Sequence, residues 1–318
     1  MGNENILVKA ENITKVFKLS RRASLKAVDH VNLSIHVGET FGLVGESGCG
    51  KSTLGRCILR LIEPTEGIVE YDGVKLQDLR GKQLRQMRQK MQIVFQNPYS
   101  SLNPRMTILD TVRAPLDVFH MGTEEERMER VLEIMSVVGL DEKYLYRYPH
   151  EFSGGQRQRI GIARAMVLNP GFIVCDEPVS ALDVSVRSQI LNLMNDLQEE
   201  RGVAYLFISH DLSVVKHVSN RIGVMYLGRI VEIADVDQLY EDPLHPYTQA
   251  LISAIPIPDV GDKKERILLT GDIPSPINPP PGCNFHTRCP HATERCKAEC
   301  PSLEKKTDGH YVACHLYD

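Results

Sequence analysis

The sequence predicts an α/β fold with a largely parallel sheet, followed by a small loop-rich cysteine module near the end of the chain. Three observations lead to this prediction. Short apolar runs typical of buried strands alternate with amphipathic helix patterns, and a glycine-rich loop follows one of these runs. Five of the eight cysteines fall after residue 282. The 318 residues suffice for one large domain or two modest ones.

The predicted elements follow one another in a regular order along the chain. Apolar or alternating runs predict strands at 6–8, 31–35, 40–44, 67–71, 91–95, 172–175 and 205–208. Apolar residues spaced three and four apart predict helices at 124–138, 156–168 and 190–197, and a further helix starts near Gly50. In a sheet of this kind ligands belong at the carboxyl ends of the strands.

A glycine-rich loop at 45–52 follows the strand at 40–44 and predicts a nucleoside triphosphate site. Its glycines permit turns that direct backbone N–H groups at phosphate oxygens, and Lys51 supplies positive charge for the β- and γ-phosphates. Ser52 is placed to hold Mg²⁺, and the following helix turns its positive end toward the phosphates. The candidate nucleotide-binding residues are Gly45, Glu46, Ser47, Gly48, Cys49, Gly50, Lys51, Ser52 and Thr53.

An acidic pair, Asp176 and Glu177, ends the apolar strand at 172–175. We expect this strand to run beside the phosphate-loop strand. Asp176 would then complete the Mg²⁺ site, directly or through water, and Glu177 would polarise the water that attacks the γ-phosphate. Surface acidic pairs are common, but the position at the end of a buried strand favours a functional site.

A second candidate anion site lies at 152–156, where Ser153 is an N-cap residue with two glycines behind it. A helix start of this kind presents free N–H groups and a positive dipole to an anion. Because the chain already has one phosphate site, this helix would read a γ-phosphate that is bound on another chain. The alternative is an ordinary serine-capped helix.

The composition argues against a nucleic-acid-binding, a membrane-spanning and a secreted protein. A net charge of −4 argues against broad electrostatic binding to nucleic acid. No apolar stretch approaches the roughly 18 to 20 residues that a membrane span needs, and residues 1–5 do not resemble a signal peptide. We therefore expect a cytosolic chain, in which disulfides are rare.

The late cysteines are separated by five, six and three residues, with Cys314 further on. Zinc sites favour cysteine pairs two residues apart, and that spacing is absent. Four thiolates spread over a loop-rich segment suit an iron–sulfur cluster, whereas free buried thiols are the plain alternative. Spacing alone does not exclude Cys300 as a ligand.

These motifs in this order resemble the ATP-binding subunits of ABC transporters over roughly the first 240 residues. The resemblance implies a P-loop ABC ATPase domain with a mixed sheet and a helical subdomain, in which two chains close over ATP and Mg²⁺. Phe152 stands where leucine is usual in the family's helix-start motif. The further site residues implied are Phe17 (adenine stacking), Gln96 (catalysis, ATP and Mg²⁺), Ser153, Gly154, Gly155 and Gln156 (ATP of the partner), Asp176 (Mg²⁺ and ATP), Glu177 (catalysis), Asp183 (ATP at the interface) and His210 (catalysis, by sensing the γ-phosphate).

Taken singly, three of these residues also have plain interpretations. Gln96 in a loop is usually polar surface, and His210 at a strand end is usually structural. Phe17 alone fits a core position as well as a stacking one. Gln96 and His210 gain weight because both follow apolar strands that should converge on one sheet edge.

Segments at 97–107, 148–151, 243–248 and 274–283 resemble the F-type ATPases of oligopeptide and dipeptide importers. That resemblance implies a D-type ATPase partner, two permease subunits, indirect action with an extracytoplasmic binding protein, and a peripheral location on the cytoplasmic face of the membrane. It leaves the cargo open among dipeptides, longer peptides and nickel. It also implies a [4Fe-4S] cluster on Cys283, Cys289, Cys296 and Cys314.

The predicted organisation is an ABC ATPase domain at 1–240, with its helical subdomain at about 97–165, and an importer-type extension at 241–318. Two other function classes compete with transport. One is an ABC ATPase that acts on DNA or ribosomes, although such proteins usually carry two ATPase units or long coiled coils. The other is a nucleotide-binding regulator, which would not need Glu177 or His210.

Overall fold

The computed structural model describes residues 5–20, 23–255 and 266–318. The strands of these residues are β1 (Ile6–Lys18), β2 (Ser24–His36), β3 (Thr40–Val44), β4 (Glu66–Tyr71), β5 (Val74–Lys75), β6 (Met91–Val94), β7 (Phe172–Asp176), β8 (Ala204–Ser209), β9 (Arg221–Tyr226), β10 (Arg229–Asp235), β11 (Glu304–Thr307) and β12 (His310–Val312). The α-helices are α1 (Lys51–Ile58), α2 (Gly81–Lys90), α3 (Pro98–Ser101), α4 (Ile108–Val118), α5 (Glu124–Val137), α6 (Gly154–Met166), α7 (Val184–Arg201), α8 (Leu212–Val218), α9 (Val236–Glu241), α10 (Pro246–Ser253) and α11 (Glu294–Ala298). Every strand and helix that the sequence predicts is present, which confirms the α/β class.

The chain divides into two compact units. The first comprises residues 1–35, 40–77 and 209–318, and the second comprises 36–39 and 78–208. The second unit is thus largely an insertion between the two halves of the first. Because the predicted boundary at 240 rests on the family resemblance, it stays a prediction.

The first unit contains two groups of hydrogen-bonded strands. One has the order β2-β1-β4-β5, with β1–β4 and β4–β5 antiparallel. The other has the order β11-β12-β10-β9-β3, where β3 and β9 are parallel and the remaining pairs antiparallel. This mixture of directions matches the predicted mixed sheet. All five residues of β3 are buried, as expected of a strand that is covered on both faces.

The second unit contains the parallel strands β6, β7 and β8 with helices around them. Both β7 and β8 are buried along their whole length. Helices α3 to α6 fall in or beside the predicted helical subdomain, and α4 contacts both α5 and α6. The parallel register brings the carboxyl ends of β6, β7 and β8 to one edge.

One predicted neighbour relation is wrong. The strand that ends in Asp176 was expected beside the phosphate-loop strand, but β7 has β6 on one side and β8 on the other. Both of its hydrogen-bonding edges are therefore occupied, and β3 is not its neighbour. The order of strands in a sheet depends on how the connecting segments cross from one strand to the next. A pattern of apolar residues predicts the strands but not these connections.

The last part of the first unit is loop-rich, as predicted. Between residues 266 and 318 its regular elements are the five-residue helix α11, the short hairpin of β11 and β12, and one terminal turn of 3₁₀ helix. None of the described helices has the length and apolar character that crossing a membrane would require.

Candidate active site

The phosphate loop depends on glycine at particular backbone positions. Gly45, Gly48 and Gly50 have φ angles of 151°, 80° and 111°, which residues with a Cβ rarely adopt. A Cβ at Gly45 would overlap the Met225 carbonyl, and one at Gly50 would overlap the Ala27 carbonyl. The loop therefore lies directly against neighbouring backbone at Gly45 and Gly50, whereas a Cβ added at Gly48 would have no other atom within 4 Å.

Lys51 begins α1, and its side chain folds back into the loop. It is only 4% exposed, and its Nζ donates hydrogen bonds to the carbonyls of Gly45 at 2.7 Å and Glu46 at 3.0 Å. Ser52 and Thr53 follow in the first turn of α1 and are half-buried. The loop thus gathers an ammonium group and the positive end of a helix, both of which attract phosphate.

Two polar residues meet at the edge of the second unit. Gln96 follows β6, Glu177 follows β7, and Gln96 Nε2 donates to Glu177 Oε2 at 2.8 Å. Glu177 has a φ of 47°, unusual for a residue with a Cβ, and its N–H donates to the Ile208 carbonyl at 3.0 Å. A strained backbone conformation of this kind is kept only where the surrounding structure holds it in place. Residues in such conformations are often found at functional sites.

The predicted Mg²⁺ residues offer suitable donors. Asp176 is 2% exposed at the end of β7, Ser52 lies at the start of α1, and Gln96 lies in the loop after β6. Their carboxylate, hydroxyl and amide oxygens are the hard ligands that Mg²⁺ prefers. The chemistry of the donor set therefore fits this metal.

The start of α6 has the predicted serine cap. Ser153 Oγ accepts from the Gln156 N–H at 3.3 Å, and Gln156 Oε1 accepts from the Ser153 N–H at 3.0 Å, which completes a capping box. Ser153 and Gly154 are exposed, whereas Gly155 is buried. A Cβ at Gly155 would overlap Val186 of α7, so this glycine also permits two helices to approach.

Three further candidates have simple local environments. Asp183 caps α7 by accepting from the Val186 N–H at 3.0 Å, and this bond, with one from the Ser185 hydroxyl, lowers the pKa of Asp183. His210 is exposed directly after β8. Phe17 is half-exposed on β1, with the ammonium of Lys15 5.2 Å from its ring centre, so it is not a core residue.

The late cysteines form no disulfides within the part of the chain that the structure describes. Burial, with a smaller contribution from the nearby thiols of Cys296, Cys300 and Cys314, raises the pKa of Cys283 to about 12. Cys300 is exposed and lies 2.9 Å from Nη1 of Arg229. Across 5–20, 23–255 and 266–318, no group of three or more His, Cys, Asp or Glu side chains is arranged to hold a metal ion. The chemistry of these thiols suits an iron–sulfur cluster.

Two residues that contact the phosphate loop were not predicted. Tyr247 accepts a hydrogen bond from the Glu46 N–H, and Arg288 donates to the Glu46 carboxylate. Arg288 lies 242 positions from Glu46, and no local pattern marks the pair. Sequence reasoning had only the segment around Tyr247 as a signal, because that segment resembles importer ATPases.

Comparison with known proteins finds similarity to ABC transporter proteins. A family model described as ABC transporter matches residues 28–180, and one described as the C-terminal region of oligopeptide/dipeptide transporters matches 231–296. The putative oligopeptide transport ATP-binding protein YkfD of Bacillus subtilis is 54% identical, with 98% of this chain and 95% of the relative covered. The oligopeptide transport ATP-binding protein AppF of the same organism is 51% identical, with 99% of each chain covered.

Solved structures show the same fold. A dimeric structure of the ATP-binding cassette MJ0796, in a post-hydrolysis state with ADP and Pi, superimposes with a TM-score of 0.66. It is 36% identical and covers 72% of this chain and 99% of its own. The protein cbiO1 of Clostridium perfringens, described as part of the ABC transporter complex cbiONQ, also has a TM-score of 0.66 at 26% identity, covering 75% of this chain and 92% of its own.

Proposed function

This chain belongs to the ATP-binding proteins of ABC transporters and is an ATPase of that family, and from this premise we propose that it energises uptake of dipeptides or oligopeptides across the cytoplasmic membrane. The observation that carries the peptide cargo is the match of residues 231–296 to the C-terminal region of oligopeptide and dipeptide transporters. The names of YkfD and AppF point to the same cargo class.

In the proposed chemistry, the loop N–H groups and Lys51 bind the phosphates of ATP. Ser52, Asp176 and Gln96 would hold Mg²⁺, which when bound neutralises phosphate charge. Glu177 orients the attacking water and accepts its proton. The hydrogen bond from Gln96 supports this role, because it fixes the carboxylate at the end of β7.

The remaining predicted residues contact the nucleotide or lie at the interface with a second chain. Phe17 stacks on adenine, and His210 senses the γ-phosphate. Ser153, Gly154, Gly155 and Gln156 contact ATP held by the partner, with Asp183 at the same interface. The exposure of Ser153, Gly154 and Asp183 supports this assignment, since a partner could reach them.

We further propose that the partner is a different, D-type ATPase subunit. Two permease subunits and, indirectly, an extracytoplasmic binding protein complete the system, with this chain peripheral on the cytoplasmic face of the membrane. The organisation as an ATPase domain at 1–240, a helical subdomain at about 97–165 and an extension at 241–318 is part of the same proposal.

The finer proposal for the extension is a [4Fe-4S] cluster on Cys283, Cys289, Cys296 and Cys314. Its support is that these thiols lie close enough together to act on one another electrostatically, as Cys300 also does on Cys283, and that Cys300 additionally contacts Arg229 Nη1 at 2.9 Å. Anaerobically purified protein should contain about four iron atoms per chain and absorb visible light. Zinc in place of iron, or no metal after anaerobic purification, would refute the cluster.

The test of the proposed function is affinity purification of a tagged Glu177→Gln variant with Mg-ATP from its native membranes. We expect a second ATPase and two polytopic membrane proteins to accompany it. Glu133→Gln, which changes an exposed glutamate paired with Arg201, is the matched control and should keep wild-type ATPase activity. Ribosomal proteins or DNA-repair factors in place of permeases would refute transport.

The same variant tests the role of Glu177. With the partner's own site also inactivated, Glu177→Gln should bind ATP normally and lose at least about 100-fold in turnover, the usual scale for a positioned proton acceptor. Turnover close to that of Glu133→Gln would refute the assignment.

A further inference from the structure

The late part of the chain holds the phosphate loop through an ion pair. Arg288 lies between Cys283 and Cys289, is 9% exposed, and its Nη1 donates to both carboxylate oxygens of Glu46 at 3.1 and 3.0 Å. Glu46 is the second residue of the phosphate loop, and all of these residues belong to the first compact unit. A largely buried guanidinium on a carboxylate is a strong contact, because removing either partner leaves the other uncompensated.

Tyr247 holds the backbone of the same loop residue. Its hydroxyl accepts from the Glu46 N–H at 3.0 Å, and the residue is fully buried. Burial raises the pKa of Tyr247, so the hydroxyl stays neutral and adds no negative charge beside the phosphate loop. The Tyr247 ring lies 4.7 Å from that of Tyr226 and 5.4 Å from that of Phe285, between centres.

The same aromatic residues also locate Arg288. Its guanidinium lies 5.9 Å from the ring centre of Tyr226, and Phe285 is three positions earlier on the same loop. Tyr247, which contacts the Glu46 backbone, and Arg288, which contacts its side chain, therefore both pack against the same group of aromatic rings. Such a packed cluster fixes both donors and acceptors at low entropic cost.

Glu46 in turn holds the lysine of the loop. Its carbonyl accepts from Lys51 Nζ at 3.0 Å, so one residue is fixed at its N–H, carboxylate and carbonyl. A carboxylate in a phosphate loop would repel a triphosphate unless its charge were compensated. Arg288 supplies that compensation.

We propose that Arg288 and Tyr247 are positioning residues for nucleotide binding: they neutralise Glu46 and hold it in place, so that the C-terminal region sets the affinity of the phosphate loop. The proposal rests on the proposed function only in that nucleotide binds at this loop. It adds a physical role for the C-terminal region that does not depend on any bound metal.

The test is a double-mutant cycle on the full chain, with Arg288→Met, Glu46→Gln and both changes together, read by calorimetric titration with ATPγS and Mg²⁺. We expect Arg288→Met to weaken ATPγS binding about tenfold, which corresponds to about 1.4 kcal/mol. The variant that carries both Glu46→Gln and Arg288→Met should bind ATPγS more tightly than Arg288→Met alone, because the uncompensated charge is then gone. Tyr247→Phe, which removes only the hydroxyl, should weaken binding about threefold.

Arg295→Met is the matched control. Arg295 lies in the same module but is exposed and pairs with Glu299 and Asp318, so binding should not change. Thermal unfolding of each variant, measured alongside, detects any loss of folding. If Arg295→Met weakens binding as much as Arg288→Met, the effect is one of general folding and the proposal is overturned.

Two failures are distinguishable. If the unaltered chain does not bind ATPγS, the proposed function itself fails. If the unaltered chain binds and Arg288→Met binds equally well, or if Glu46→Gln does not rescue it, only the positioning role is refuted.

Discussion

At the scale of single residues, the phosphate loop shows which glycines are required by space as well as by backbone angle. Gly50 has a positive φ and would also collide with the Ala27 carbonyl if it carried a Cβ. Gly73 has a φ of 72° with open space around it. Both lie in the first unit, so they separate the two effects.

We expect Gly50→Ala to destabilise the protein by several kcal/mol, because strain and backbone overlap add. The control Gly73→Ala should cost only about 1 kcal/mol, from strain alone. Chemical denaturation of both variants measures the difference. If both variants lose the same free energy of unfolding, the overlap with the Ala27 carbonyl contributes nothing to the destabilisation.

Single-residue features are predictable from the sequence where they depend on residues that are close together along the chain. The phosphate loop, the cap at Ser153 and the position of Glu177 after a buried strand were all predictable, because each depends on neighbours within a few positions. Arg288 was not predictable, since its partner is 242 positions away.

At the scale of elements, α6 and α7 meet at a glycine. Gly155 is buried, and a Cβ there would overlap Val186. We expect Gly155→Ala to lower the melting temperature, and Val186→Ala combined with it to recover much of the loss, because the second change removes the colliding methyl groups. A double variant no more stable than Gly155→Ala would contradict this packing role.

The start of α10 gives a prediction about pH. His245 Nδ1 caps this helix by accepting from the Tyr247 N–H at 3.0 Å, which requires an unprotonated nitrogen. Burial lowers the pKa of His245 to about 4, while the nearby Glu232 acts in the opposite direction. Below its unfolded pKa of about 6.5, the unfolded chain therefore binds a proton that the folded chain does not, and stability falls as the pH falls toward 4.

We expect the free energy of unfolding to fall by about 2 kcal/mol between pH 7 and pH 5, because the unfolded chain binds a proton at His245 over this range. His245→Asn keeps a capping oxygen but cannot titrate, so its stability should fall less over that range. Thermal unfolding at both pH values compares the two proteins. An identical acid dependence would show that His245 is not protonated on unfolding.

At the scale of the whole molecule, the region after residue 240 is integral to the first compact unit. Glu232 is fully buried and accepts from the N–H groups of Leu244 at 2.7 Å and His245 at 2.9 Å. His310 Nε2 lies 2.7 Å from the same carboxylate. All three partners come from the late part of the chain.

We therefore expect a chain truncated after residue 240 to unfold at a much lower temperature or to aggregate, because Glu232 becomes a buried charge without partners and the ring cluster loses Tyr247 and Phe285. Replacing Glu232 with Met in the truncated chain should recover part of the stability. Circular dichroism and calorimetry provide the measurement. Cooperative unfolding of the truncated chain near the full-length temperature would contradict the prediction.

The sequence by itself determined the α/β class, the phosphate loop, the cap at Ser153 and the ATPase chemistry, because these depend on short-range backbone geometry and on residue types at fixed spacing. Only the tertiary structure decided that β7 lies between β6 and β8 and that Arg288 and Tyr247 hold Glu46. The physical reason is the same in both cases. Strand order and contacts between distant segments arise from packing choices among many compatible arrangements, and a local pattern of apolar and polar residues does not distinguish between them.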